Sequence, residues 1–159
     1  MIVIVMGVSG SGKTTIGEAL GREMGWTYLD ADDFHPKANV EKMAAGIPLQ
    51  DADRWPWLEK MNEKLLEMQR QERSAILGCS ALKQTYRDRL ARNIKNLKIV
   101  YLKGDFDLIH QRVTGRKHRY MPASLLRSQF DTLEPPQGAI EVDIAAPIEK
   151  SVASIRERL

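Results

Sequence analysis

Two rhythms of apolar residues divide the chain. Short runs rich in β-formers at Ile2 to Met6, Thr27 to Asp30, Ala75 to Cys79, Lys98 to Leu102 and Ala139 to Ile144 read as strands. Between them the spacing turns helical, most clearly at Ile16, Leu20 and Met24, at Leu58, Met61, Leu65 and Met68, and at Ile148, Val152, Ile155 and Leu159. Pro147 suits the first turn of that last helix, and Gly25 and Gly46 suit helix stops. Strands alternating with helices predict an α/β fold of three layers: a five-stranded parallel sheet with helices on both faces, since parallel neighbours need crossover connections. No repeat or long linker interrupts residues 1–159, and Pro135-Pro136-Gln137-Gly138 reads as a loop, so a single domain is expected.

Composition narrows the setting. Apolar residues make up 43% of the 159, enough for a core, and no apolar run approaches the roughly 20 residues that span a bilayer. The N-terminal run lacks a basic flank and a cleavage site, which predicts a strand rather than a leader. The single cysteine, Cys79, has no internal disulfide partner, and His35, His110 and His118 show no zinc spacing with it. A cytoplasmic protein is expected, with Cys79 a core residue of the third strand. A net charge of +3, with basic and acidic residues interleaved, argues against nucleic acid as the main partner and for small anions.

The strongest chemical signal is Gly7-Val8-Ser9-Gly10-Ser11-Gly12-Lys13-Thr14, which leaves an apolar strand and opens an amphipathic helix. Its pattern is that of a phosphate-binding P-loop, and both flanking elements match the mechanism, which sets it apart from a glycine-rich turn with a stray lysine. The glycines let the backbone curl so that amides and the positive helix end face phosphates. Lys13 reaches the β- and γ-phosphates of ATP, and Thr14 offers a hydroxyl to Mg²⁺.

Residues at the carboxyl ends of the other strands decide what accepts the phosphoryl group, because open α/β sheets bind ligands there. Asp30-Ala31-Asp32-Asp33-Phe34-His35-Pro36 follows the second strand. Alternation puts Asp30 and Asp32 on one side, Asp30 toward the Mg²⁺ shell and Asp32 toward an acceptor hydroxyl that it orients or deprotonates. Asp33 reads as a cap for the helix beginning near Pro36. His35 either donates to a substrate hydroxyl or pins the turn. Arg54, just before the helix of Trp57 and Leu58, is a candidate for a substrate carboxylate, with a local ion pair to Asp51 or Asp53 as the alternative. After the third strand, Lys83 and Arg87 stand four apart, a spacing that serves an anion or a solvated basic face.

Arg112, Arg116, Lys117 and Arg119 crowd the neighbourhood of Gly115, between helical patterns at Phe106 to Thr114 and Pro122 to Leu133. This predicts a cationic helical lid over about 112–134 that closes on ATP, with Arg112 and Arg116 at the nucleotide and Arg116 stabilising transition-state charge. A solvated basic loop is the alternative. By analogy with related folds, Asp143 to Pro147 would line the adenine.

Taken together, Gly7 to Thr14, Asp30 to Pro36, Asp53-Arg54-Trp55-Pro56-Trp57-Leu58, Cys79-Ser80-Ala81-Leu82-Lys83 with Tyr86-Arg87, and Ser128-Gln129-Phe130-Asp131-Thr132-Leu133-Glu134 resemble the gluconokinase family over nearly the whole chain. The resemblance implies a P-loop kinase fold and ATP-dependent phosphorylation of the 6-hydroxyl of D-gluconate, giving 6-phospho-D-gluconate in a cytoplasmic homodimer. It implies Lys13 and Thr14 at the nucleotide and Asp32, His35, Arg54 and Lys83 near the sugar acid. Similarity to shikimate kinase suggests the division of duties between Asp30 and Asp32. Where members of the family carry a small residue and His-Phe in the lid, this chain has His118-Arg119-Tyr120. The alternatives are a kinase for shikimate or another polyhydroxy acid, or a binding protein switched by slow ATP hydrolysis.

Overall fold

The computed structural model describes residues 1–114 and 123–159. Five strands, β1 (Ile2–Met6), β2 (Thr27–Asp30), β3 (Ala75–Gly78), β4 (Leu97–Lys103) and β5 (Ile140–Asp143), form one sheet in the order β2-β3-β1-β4-β5. Every pairing is parallel. All five fall within one residue or so of the runs in the sequence; β1 and β3, inner strands covered on both faces, are apolar throughout, whereas the edge strand β5 alternates buried and exposed residues. In β1, the side chains of Val3 and Val5 enter one core and those of Ile2, Ile4 and Met6 the other.

The first core is closed by α1 (Lys13–Met24), α5 (Phe106–Thr114), α6 (Ala123–Thr132) and α7 (Ile148–Arg158), through Ile16, Leu20, Ile109, Leu126 and Ile155. The second is closed by α3 (Asp51–Arg70) and α4 (Gln84–Ala91), through Leu58, Met61, Leu65, Met68 and Leu90. Asn62 is buried within this second layer and satisfies its amide on the carbonyls of Leu90 and Arg92, both at 2.9 Å. The three layers and five parallel strands are those the sequence predicts.

Gly25 ends α1 in the left-handed conformation, φ 69°, and Gly46 follows α2 (Lys37–Ala44) at φ 74°, as their helix-stop reading requires. Three local expectations change. Pro147 is the N-cap of α7, one position before its first turn. Helix α2 starts after Pro36 with no side-chain cap; Asp33 sits instead in a 3-10 turn, Ala31–Phe34, and that turn is capped by Asp30, whose Oδ1 accepts the Asp32 N–H at 2.9 Å. Helix α3 starts at Asp51, so Arg54 lies inside its first turns and not ahead of it. Asp53 Oδ2 accepts the Gln50 N–H at 2.9 Å and fixes that early start.

Candidate active site

β1, β2 and β3 point their carboxyl ends at one cleft, lined among others by Ser9, Lys13, Thr14, Asp30, Asp32 and Ser80. The P-loop forms its floor. Gly10 and Gly12 hold φ 82° and 97°, and a Cβ on Gly10 would collide with Val113 of α5, so glycine is required there for conformation and for space. The loop closes on itself through the Ser11 N–H and the Val8 carbonyl at 3.2 Å. Gly12 caps α1, whose first amides therefore open toward the cleft. Lys13 Nζ arches over the loop, 3.1 and 3.0 Å from the Gly7 and Val8 carbonyls.

A second cavity adjoins the other side of the loop. Leu102, Val142, Ile144 and Ala146 give it apolar walls, and Arg112 at its rim donates to the Ile144 carbonyl at 2.6 Å. Ser11 lines this cavity, and its Oγ is buried without a hydrogen-bond partner among the described residues. A buried hydroxyl with no partner beside a curled, glycine-bearing loop fits an oxygen-rich ligand, and the two cavities bracket the loop as the phosphates and base of a nucleotide require.

On the acceptor side, Asp30 and Asp32 both reach the cleft, although Asp32 arrives there from the 3-10 turn and not by strand alternation. The turn is braced by Trp57, whose Nε1 donates to the Ala31 carbonyl at 2.7 Å. His35 stacks on Trp57 with centroids 4.2 Å apart and planes 12° apart. Its Nδ1 faces the Asn39 amide nitrogen at 3.3 Å; an amide nitrogen only donates, so Nδ1 accepts and the ring proton rests on Nε2. Burial holds the imidazole below its ordinary pKa, outweighing the pull of Asp32. Of the two readings of His35, these contacts supply the pinning one.

Arg54 and Lys83 are brought together by Asp51. Asp51 Oδ1 accepts from the Tyr86 hydroxyl at 2.5 Å and from Arg54 Nη1 at 3.4 Å, while Oδ2 lies 3.5 Å from Lys83 Nζ. Both cations also approach the Tyr86 ring, at 5.6 and 5.5 Å from its centroid. The Tyr86 hydroxyl first, and the two cations after it, hold the Asp51 carboxyl below its usual range. Asp53 is occupied elsewhere, 2.8 Å from Lys42 Nζ.

Arg87 does not join this group. It is 2% exposed, and its guanidinium donates to the carbonyls of Ala81 (2.7 Å), Leu82 (3.2 Å) and Glu134 (2.8 Å) and to Gln84 Oε1 (3.1 Å). The Lys83 carbonyl accepts the Arg87 N–H at 3.2 Å, but the two side chains part: Lys83 turns to Asp51 and Arg87 to the loop carbonyls. Arg87 locks the loop after β3 to the segment after α6. Cys79 is buried at the end of β3, and burial pushes its thiol up to about 12. Arg116 lies outside the described residues, as do Lys117 and Arg119. The local ion pair of Arg54 is with Asp51, the first of its two sequence alternatives, while Tyr86 and Gln129, which touch the cations and the loop, carry no role in the sequence beyond the motifs that contain them.

A P-loop on a five-stranded parallel sheet, with carboxylates lining the same cleft from the end of β2 and the turn after it, defines a P-loop kinase. A family model described as an AAA domain matches residues 2–136. The chain is 45% identical to the thermoresistant gluconokinase of Escherichia coli (strain K12), over 98% of this chain and 91% of that protein. A solved gluconokinase from Sinorhizobium meliloti 1021 superposes with a TM-score of 0.86 at 40% identity, covering 96% of this chain and 87% of that one. Shikimate kinase from Aquifex aeolicus shares the fold alone, at TM-score 0.57 and 17% identity, across 99% and 95% of the two chains. The chain belongs to the gluconokinase family.

Proposed function

We infer that this protein transfers the γ-phosphoryl group of ATP to the 6-hydroxyl of D-gluconate, giving 6-phospho-D-gluconate and ADP. The observation that carries the reading is the meeting of a phosphate loop and the Asp30–Asp32 carboxylates in one cleft, in a chain of the gluconokinase family. The loop amides and Lys13 hold the β- and γ-phosphates, and the apolar cavity behind Ser11 takes the adenine. Asp32 orients the acceptor hydroxyl and receives its proton as the new P–O bond forms. Arg54 and Lys83 bind the carboxylate at the far end of the acid, with His35 on the wall between. Arg112 serves the phosphates, and Arg116, outside the described residues, is proposed to act on transition-state charge.

Among the described residues no cluster of three or more His, Cys, Asp or Glu side chains could hold a metal. Mg²⁺ would be held by the Thr14 hydroxyl, by water on Asp30 and by phosphate oxygens, and would supply neutralisation of charge on the transferred group. No helix among the described residues is long and apolar enough to cross a membrane. The family resemblance supports a cytoplasmic homodimer acting on the small-molecule acid.

A coupled ADP-release assay over gluconate, other sugar acids and shikimate tests the substrate. Turnover of gluconate well above the rest is expected; no ATP-dependent product from gluconate overturns the assignment, and preference for shikimate replaces it.

A further inference from the structure

Gln129 of α6 reaches across to the P-loop and makes two hydrogen bonds to one residue there. The Ser9 backbone N–H donates to Gln129 Oε1 at 2.7 Å, and Gln129 Nε2 donates to Ser9 Oγ at 3.0 Å. The polarity of the pair follows from the backbone. A peptide N–H can only donate, so the amide oxygen must face it, and this turns the amide nitrogen onto the hydroxyl. That nitrogen carries only donors, so Ser9 Oγ is the acceptor and keeps its own proton for another partner. Ser9 lines the cleft between the loop and the strand ends, opposite Asp30 and Asp32.

Resting on the phosphotransferase reading above, we propose that Gln129 is a positioning residue that sets the Ser9 hydroxyl as a hydrogen-bond donor to the phosphoryl group in transfer. The Ser9 amide is committed to Gln129, so this loop residue serves the phosphates through its side chain, whereas glycines at 10 and 12 can serve them only through the backbone. A donor held in place before the reaction stabilises charge that develops on the transferred oxygens without reorganising at that moment. Ser11, the other serine of the loop, has no such partner among the described residues and lines the second cavity.

The test compares wild type, Ser9→Ala, Gln129→Glu and the double variant. Glutamate keeps the side-chain length and still accepts the Ser9 N–H, but its second oxygen accepts from the hydroxyl and draws the proton out of the cleft. Each single change is expected to lower kcat by about tenfold to a hundredfold, with KM for the acid nearly unchanged and melting temperature within a few degrees. The double variant should be no slower than the slower single one. Losses that multiply, or an unchanged kcat in either single variant, overturn the proposal. Binding of ADP with aluminium fluoride, a mimic of the transferred group, gives a readout independent of the acceptor. Both variants should bind ADP alone as wild type does and bind the fluoride complex about tenfold more weakly; equal affinity for the fluoride complex overturns the proposal. Failure of gluconate as substrate leaves this second readout intact, so the two readings fail separately.

Discussion

Tyr86 donates its phenolic hydrogen to Asp51 at 2.5 Å, and through that bond a residue of α4 orients the carboxylate shared by Arg54 of α3 and Lys83. Asp51 stands in α3 beside Arg54, so Lys83, at the start of α4, is held by the element that carries the other cation. The two helices that carry acid-binding candidates are therefore joined by one carboxyl group.

Tyr86→Phe removes the largest cause of the depressed Asp51 pKa. A carboxyl with a depressed pKa keeps its ion pairs above the ordinary carboxylate range and loses them as pH falls through the folded value. In the phenylalanine variant that loss should begin at higher pH. We expect KM for gluconate to rise about three- to tenfold at neutral pH with kcat little changed, and the acid limb of the KM profile to move upward. An unaltered KM profile would count against the shared-carboxylate arrangement.

Arg87→Met should act on stability. Its removal strands the carbonyls of Ala81, Leu82 and Glu134 that the guanidinium satisfies. Leaving buried acceptors unpaired costs about 2–4 kcal/mol in all, a fall of about 5–15 °C in melting temperature for a domain of this size. KM for the acid in the remaining folded enzyme should hold within about twofold. A large rise in KM with normal melting would instead return Arg87 to the substrate.

Asp32→Asn keeps the volume and the 3-10 turn, whose capping bond comes from Asp30. A fall in kcat of about a hundredfold or more is expected, with ATP affinity from calorimetry unchanged. Transfer at the wild-type rate would show that another group handles the acceptor hydroxyl.

His35 provides a pH prediction of opposite origin. Its folded pKa lies below the ordinary value because burial disfavours the imidazolium. Between the folded and unfolded values the unfolded chain binds more protons, so stability falls as pH drops below about 6.5. His35→Gln should flatten the dependence of melting temperature on pH between about 5 and 7 while lowering it near neutrality, where the stack on Trp57 is lost. An equally steep profile in the variant would assign the slope elsewhere.

What could be read from the chain alone follows physical range. The strands and P-loop were legible because a covered parallel strand is an unbroken apolar run and the loop's chemistry is contained in Gly7 to Thr14. The start of α3 was misread because Pro56 suggests an early break, yet the Gln50–Asp53 bond begins the helix five residues ahead of it. From its spacing Arg87 reads as a cation for a substrate anion or a solvated face, because its deciding partner, Glu134, lies 47 residues away, and Gln129 meets Ser9 across 120. Side-chain partners at such separations leave no periodic trace.

The sheet is also a partition. Everything between the end of β2 and the start of β3 is one continuous excursion, the 3-10 turn, α2 and α3, and its buried side chains meet the core opposite the one that receives α1, α5, α6 and α7. Such an excursion can be exchanged as a cassette. A graft of residues 31–74 from a kinase of the same topology would carry in a new acceptor wall while the nucleotide half kept its own packing, which makes this chain a chassis for retargeting phosphorylation to other hydroxy acids.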